Sequence, residues 1–193
     1  KGYTGQPMND MPPFEVLPLS KSDAAYLAAC LILGEEVSCE DTMEAAEAVA
    51  QAGARVPFYI QHIVDWRRQL NGETWTPLRI RAALRDILIA PGDPAELRYY
   101  DSRLDQYYPP DIVDKASGIL DVLSARKAGR SFPETLNLVR HRPKTQTVDP
   151  DELRHVMHIL HQDHYLVRKQ DRWLFKLDIV RQWWLRERGG RGS

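Results

Sequence analysis

The amino-acid sequence predicts a mainly α-helical chain with one small β-hairpin near its end. Three observations carry this prediction. Helix-start signals, a capping side chain followed by proline or acidic residues, recur along the chain and open apolar runs of helical period. Only one stretch reads as paired strands: Tyr165-Leu-Val-Arg-Lys and Arg172-Trp-Leu-Phe-Lys flank the polar turn Gln170-Asp171. Pro109-Pro110 is the sharpest break, and the charge inverts across it. Residues 1–108 hold 10 Lys+Arg against 16 Asp+Glu, a net −6, and residues 109–193 hold 16 against 11, a net +5. The expected organisation is an extended connector over 1–19, a helical domain over 20–108 and a second domain over 109–193. The basic second half is the one suited to an anionic partner.

Taken in order, four prolines between Pro7 and Pro18 deny helix to the connector. Ser20 caps a first helix whose face is Ala24, Ala25, Leu27, Ala28, Leu31 and Ile32 and which ends near Gly34. A second helix, rich in Ala and Glu, is expected over Glu40–Ala52, preceded by Ser38 and stopped by Gly53. Pro57 opens a third, with Phe58, Ile60, Ile63, Val64 and Leu70 apolar and Asn71-Gly72 ending it. Thr76-Pro77 repeats the cap-plus-proline start for a fourth helix through Leu88. Asp93-Pro94 starts a fifth through Tyr107, with Leu97, Tyr100 and Leu104 inward. Trp66 and Trp75 are assigned to the packing of this half.

Beyond the break, helices are expected over about 111–127 and 133–141, joined by the loop 141–148 to a third over 149–163. That third helix begins with Asp149 as cap, Pro150 at its first position and acids in its first turn. Leu153, Val156, Met157 and Leu160 form its apolar stripe, and Arg154, His155, His158 and Gln162 lie opposite. The hairpin adds Arg168, Lys169 and Arg172, and a closing helix carries Trp183 and Trp184, which with Trp173 make an aromatic cluster assigned to the core. Three helices, a hairpin and a closing helix are the parts of a winged helix-turn-helix with a β-hairpin wing. Its outer helix face and wing would touch base edges and backbone phosphates of duplex DNA. Asp149, Asp151 and Glu152 oppose that reading, because carboxylates there would face phosphates; a solvated face used for protein contacts is the alternative.

Composition bounds the rest. With 43% hydrophobic and 27% charged residues the chain is ordinary for a soluble globular protein, and no apolar run approaches the roughly 18 residues of a membrane span. The start carries no signal peptide, and it lacks an initiator Met, so a piece of a longer chain is expected. Cys30 and Cys39 have no metal spacing and fit a reduced, cytoplasmic setting. His155, His158, His161 and His164 recur every three residues, but each step turns −60° on a helix, so the first and last face apart. No Cys or Glu completes a metal site there. No Ser/His/Asp or Cys/His arrangement stands at a meaningful spacing.

Several segments, in order, resemble the lid and winged-helix region of bacterial and archaeal AAA+ and STAND-type, origin-recognition-like ATPases. Asn9-Asp10 followed by Leu17-Pro-Leu-Ser resembles the segment leading from their last core strand into the lid. Gly53-Ala-Arg-Val-Pro57-Phe resembles the motif that opens a lid helix. Tyr100-Asp-Ser-Arg-Leu-Asp-Gln-Tyr-Tyr108 resembles the helix linking lid to winged helix, and Tyr165-Leu-Val-Arg … Trp173-Leu-Phe-Lys … Ile179-Val-Arg-Gln-Trp-Trp184 resembles their winged-helix end. The departures are specific. There is no Gly-x-x-x-x-Gly-Lys-Ser/Thr and no strand-borne acidic pair for magnesium, so this piece is expected to be non-catalytic. Arg55 stands where the lid motif has glycine.

The resemblance implies a parent ATPase that binds ATP and Mg outside this piece and whose core domain is the first partner. In it, Arg55 and Pro57 become the candidate nucleotide-facing residues, and the lid passes the nucleotide state to the winged helix through the Arg98–Tyr108 helix, a rigid lever. Such ATPases often assemble into oligomers. A stand-alone winged-helix transcription regulator and a protein-interaction adaptor are the other two readings.

Overall fold

The computed structural model describes residues 17–68 and 74–189 of the 193-residue chain. The readings that fall on Asn9-Asp10, Leu70 and Asn71-Gly72 lie outside the described residues. Among those described, nine helices and one small sheet are present. The first half contains α1 (Lys21–Gly34), α2 (Thr42–Ala52), α3 (Pro57–Arg68), α4 (Pro77–Ile89) and α5 (Arg98–Tyr107). The second contains α6 (Pro110–Ser124), β1 (Arg130–Ser131), α7 (Phe132–Arg140), α8 (Pro150–Gln162), β2 (Leu166–Lys169), β3 (Arg172–Phe175) and α9 (Asp178–Gly189). The three strands are antiparallel in the order β1-β3-β2.

Capping side chains set the starts of α1 and α4 where the sequence places them. The Ser20 hydroxyl accepts from Asp23 N at 3.1 Å, and the Thr76 hydroxyl from Arg79 N at 3.3 Å, with Pro77 in the first turn. Two starts differ from expectation. α2 begins at Thr42, not Glu40, because the Asp41 carboxylate accepts from Met43 N and Glu44 N at 2.8 and 2.9 Å. Ser38 is not the cap: its carbonyl accepts from Trp75 N at 2.7 Å, and Cys39 is bridged to Trp75, so this stretch is extended. α5 begins at Arg98, not after Asp93. Asp93 sits in the left-handed region (φ 47°) and reaches over a turn to accept from Leu97 N and Arg98 N, both at 2.9 Å.

One glycine is required for packing at the α2–α3 corner. A Cβ on Gly53 would lie 2.9 Å from Ile60 N, so any side chain forces the two helices apart. Behind it the backbone turns through Ala54 (φ 53°) and Arg55 (φ 61°). Position 55, where arginine replaces the glycine of the resembling motif, thus keeps a conformation that glycine favours. On α3 the apolar face is the expected one except at its first residue. Ile60, Ile63 and Val64 are buried, but Phe58 is 39% exposed and Tyr59 takes the inward place, its hydroxyl donating to that of Tyr100 at 3.5 Å.

The buried apolar residues form one cluster from Ala24 to Trp184 that runs past Pro109. α5 packs on α6, and α4 on α9. Polar contacts cross the same seam. Arg188 of α9 bonds Asp101 of α5 at 2.9 Å and Asp121 of α6 at 3.2 Å, and Asp121 also accepts from Trp184 Nε1 at 2.8 Å. The Tyr165 hydroxyl donates to Tyr100 O at 2.8 Å, and the Arg103 guanidinium lies 5.6 Å over the Tyr165 ring. No described helix is long and apolar enough to cross a membrane.

Candidate nucleic-acid interface

α8 is placed by reciprocal caps and by its apolar stripe. The Asp149 carboxylate accepts from Asp151 N and Glu152 N at 2.8 Å each, and Glu152 returns a bond to Asp149 N at 3.2 Å. Leu153, Val156, Met157 and Leu160 are buried against the rest of the second half, and the opposite residues Arg154, His155, His158 and Gln162 are exposed. At its end the chain turns through left-handed His164 (φ 66°) into β2. The Tyr108 hydroxyl donates to Asp163, tying this corner to the end of α5.

The hairpin stands beside α8. Leu166 and Phe175 pair across the strands and are both buried, so the hairpin's inner face is anchored in the core. Arg168 pairs with Trp173, and its guanidinium lies 5.9 Å over the indole. The His161 ring meets the same indole edge-on at 6.0 Å. Lys169 is exposed next to the Gln170-Asp171 turn, with Gln170 at φ 55°. Arg172 points elsewhere. Half-buried, it donates to Gly129 O at 3.2 Å and pairs with Glu134 at 3.6 Å, so it binds the hairpin to β1 and α7.

β1 is the element that the sequence concealed. It is two residues long, too short for any period, and pairs Arg130 with Trp173 and Ser131 with Arg172. Gly129 before it makes the approach possible. It adopts φ +69°, and a Cβ there would collide with the Trp173 carbonyl. Ser131 then starts α7 with a second capping box, accepting from Glu134 N at 3.4 Å while Glu134 accepts from Ser131 N at 2.8 Å.

The start of α7, one edge of α8 and the hairpin enclose an open groove of about 710 Å³, with Phe132, Met157 and Trp173 in its walls and Arg154, His158 and Arg168 at its rim. Arg154 lies 5.0 Å over the Phe132 ring and bonds Asp151 at 2.5 Å. Phe132 and Trp173, the aromatic supports of the two arginines, were not singled out as site residues by the sequence. The only trace is their place one residue after the Ser131 cap and opposite Arg168 in the hairpin register.

The acidic start of α8 is largely occupied. Asp149 is used in capping, and Glu152 in capping and in a 2.9 Å pair with Lys115. Lys115 and the Asp149 backbone hold the Glu152 carboxyl below its usual range. Glu134 is likewise held low, first by the Ser131 backbone.

The candidate nucleotide-facing residues lie on a different surface. Arg55 and Pro57 are exposed at the α2–α3 corner. Arg55 borders a groove of about 800 Å³ between α1 and α2, shared with Lys21, Tyr26, Ala29 and Met43; Pro57 is the first residue of α3 and does not line it. Among the described residues no group of three or more His, Cys, Asp or Glu side chains is close enough to hold a metal ion.

Compared with protein-family models, curated proteins and solved structures, the chain matches none of them.

Proposed function

We propose that residues 109–189 form a winged helix-turn-helix that engages duplex DNA through α8 and the β2–β3 wing, and that 20–108 is a lid-like bundle coupling it to the ATPase core of a parent chain. The observation that carries the reading is the element order α6-β1-α7-α8-β2-β3 with strand order β1-β3-β2. It sets an exposed basic helix edge beside an exposed basic hairpin. Capping and pairing of Asp149 and Glu152 support it further, because these carboxylates are already engaged. Asp151 is the acid that still faces outward, on Arg154.

A mobility-shift titration with duplex DNA tests this. Arg154, Arg168 and Lys169 offer about three phosphate contacts, so affinity should fall about 40-fold between about 50 and 200 mM salt. A protein-interaction adaptor is the second reading, favoured by the apolar walls Phe132, Met157 and Trp173 and by the Arg154–Asp151 pair. Absence of duplex binding at low salt would select it.

The lid role draws on the other surface. Tyr26 and Met43 are exposed beside Arg55 and Lys21, an apolar patch with two cations at its margin. On this reading the patch meets the nucleotide-bearing core, which brings ATP and Mg, and Arg55 faces phosphate. Arg55→Ala in the intact parent protein should weaken ATP binding, and unchanged nucleotide affinity would remove Arg55 from that role. The tyrosine and arginine contacts of the α5 seam would carry the state onward to α8.

A further inference from the structure

We infer that the groove between α7, the edge of α8 and the hairpin is a slot for one phosphodiester group, so that the chain grips a duplex by its backbone and does not read its bases. The inference rests on the duplex-binding reading and deepens it.

Two guanidiniums from different elements border this groove. Arg154 comes from α8 and rests on Phe132 at 5.0 Å; Arg168 comes from the hairpin and rests on Trp173 at 5.9 Å. Contact with a ring restrains each side chain, and a guanidinium's N–H groups, which lie in its own plane, suit the oxygens of a phosphate. Because the supports belong to two separate elements, α7 and β3, packed on one core, the two guanidiniums are positioned before any ligand arrives. His158 lies on the same rim and adds a ring nitrogen.

The residues left for base reading are few. Both arginines, the side chains best fitted to guanine, border the groove. The rest of the outer face of α8 carries Asp151 in its first turn, His155, and Gln162 at its last position. Only Gln162 among these has the amide that pairs with adenine on two atoms, and Asp151 repels the backbone on either side. Asp151 and Asp171 are the carboxylates bordering the slot. Asp151 is 92% exposed, and an exposed ion pair with Arg154 yields readily to a phosphate.

The test measures affinity for an A·T-rich and a G·C-rich duplex as a function of salt. It compares the unaltered chain, Arg154→Gln/Arg168→Gln, Arg168→Gln alone, and Arg85→Gln on the remote α4 as control. The two duplexes should bind within about threefold of each other. The slope of log affinity against log salt should fall by about 1.8 in the double variant, by about 0.9 in the single one, and not at all in the control. Arg168→Gln alone keeps the test valid if the double variant loses its thermal unfolding transition. Duplex binding with an unchanged slope, or with a strong preference for one sequence, overturns the slot and leaves the duplex reading intact. No duplex binding by the unaltered chain overturns both.

Discussion

Two helices of nearly equal length show how the halves of this molecule differ. α8, of 13 residues, puts its apolar side chains on one side and Arg154, His155, His158 and Gln162 on the other. α1, of 14 residues, is apolar almost all round: Ala24, Ala25, Ala28, Ala29 and Ile32 are buried, yet Tyr26 and Leu33 remain 72% and 67% exposed. A helix with a polar outer face is complete once its stripe is packed, and its charged side chains stay in water. A helix apolar on every side leaves surface that water penalises until another apolar surface covers it. Charge dominates the outer face of α8 and apolar surface that of α1, and the two proposed roles would use these surfaces accordingly.

The largest expected effect contrasts one substitution in the two halves. Gly129→Ala meets both a left-handed backbone and a collision with the Trp173 carbonyl, so it should cost about 3 kcal/mol and loosen the hairpin. Gly53→Ala meets crowding at Ile60 N without a left-handed φ, and should cost about 1–2 kcal/mol. Denaturant unfolding measures both. Equal costs would mean that the α2–α3 corner is as constrained as the β1–β3 approach.

Alkaline pH sharpens the same contrast. Burial pushes the phenols of Tyr59 and Tyr165, one in each half, well above their usual value. Both are neutral in the folded and unfolded chain below about pH 10, so stability is full there. Above that only the unfolded chain ionises, and stability should fall by about 1.4 kcal/mol per pH unit for each tyrosine. The loss continues until the folded phenols ionise in turn. Tyr59→Phe and Tyr165→Phe should each make the decline shallower by one tyrosine's share. A decline unaffected by either would place the sensitive group elsewhere.

The smallest effects concern helix starts. Ser131→Ala and Asp149→Ala remove members of reciprocal capping boxes, and Asp41→Ala removes a one-way cap; each should cost about 1 kcal/mol, seen as a lower unfolding midpoint. Only the second half should also show an acid dependence tied to its boxes. Glu134 and Glu152 have carboxyls held low, so their contribution is present above the usual carboxylate range and is lost as pH falls through the depressed folded values. Glu134→Gln should remove part of that acid dependence while leaving α2 unaffected.

Much of this was legible in the chain because it is local. Ser20, Thr76-Pro77 and Asp149-Pro150 announce helices through side chains that bond the next turn, and the outward set Arg154, His155, His158 and Gln162 follows from helical period alone. What was misread depends on distant partners. Before α2, Trp75 holds Ser38 and Cys39 extended and leaves the start to the Asp41 cap; the later start of α5 is instead a local exception, in which Asp93 caps across a turn. The burial of Tyr59 in place of Phe58 brings its hydroxyl to that of Tyr100, 41 residues later, a contact that no local pattern announces.

Local order set the helices, their caps, the hairpin and the unequal charge of the two halves, because each arises from neighbours within a turn or two of the backbone. Packing between distant segments decided what those parts can do. It turned Arg172 inward to Gly129 and Glu134, set Arg154 against Phe132 and Arg168 against Trp173, and joined the halves through Tyr100, Arg188 and Asp121. A long cation has the same charge wherever it lies, and only the surfaces brought against it settle whether that charge braces the fold or meets a ligand.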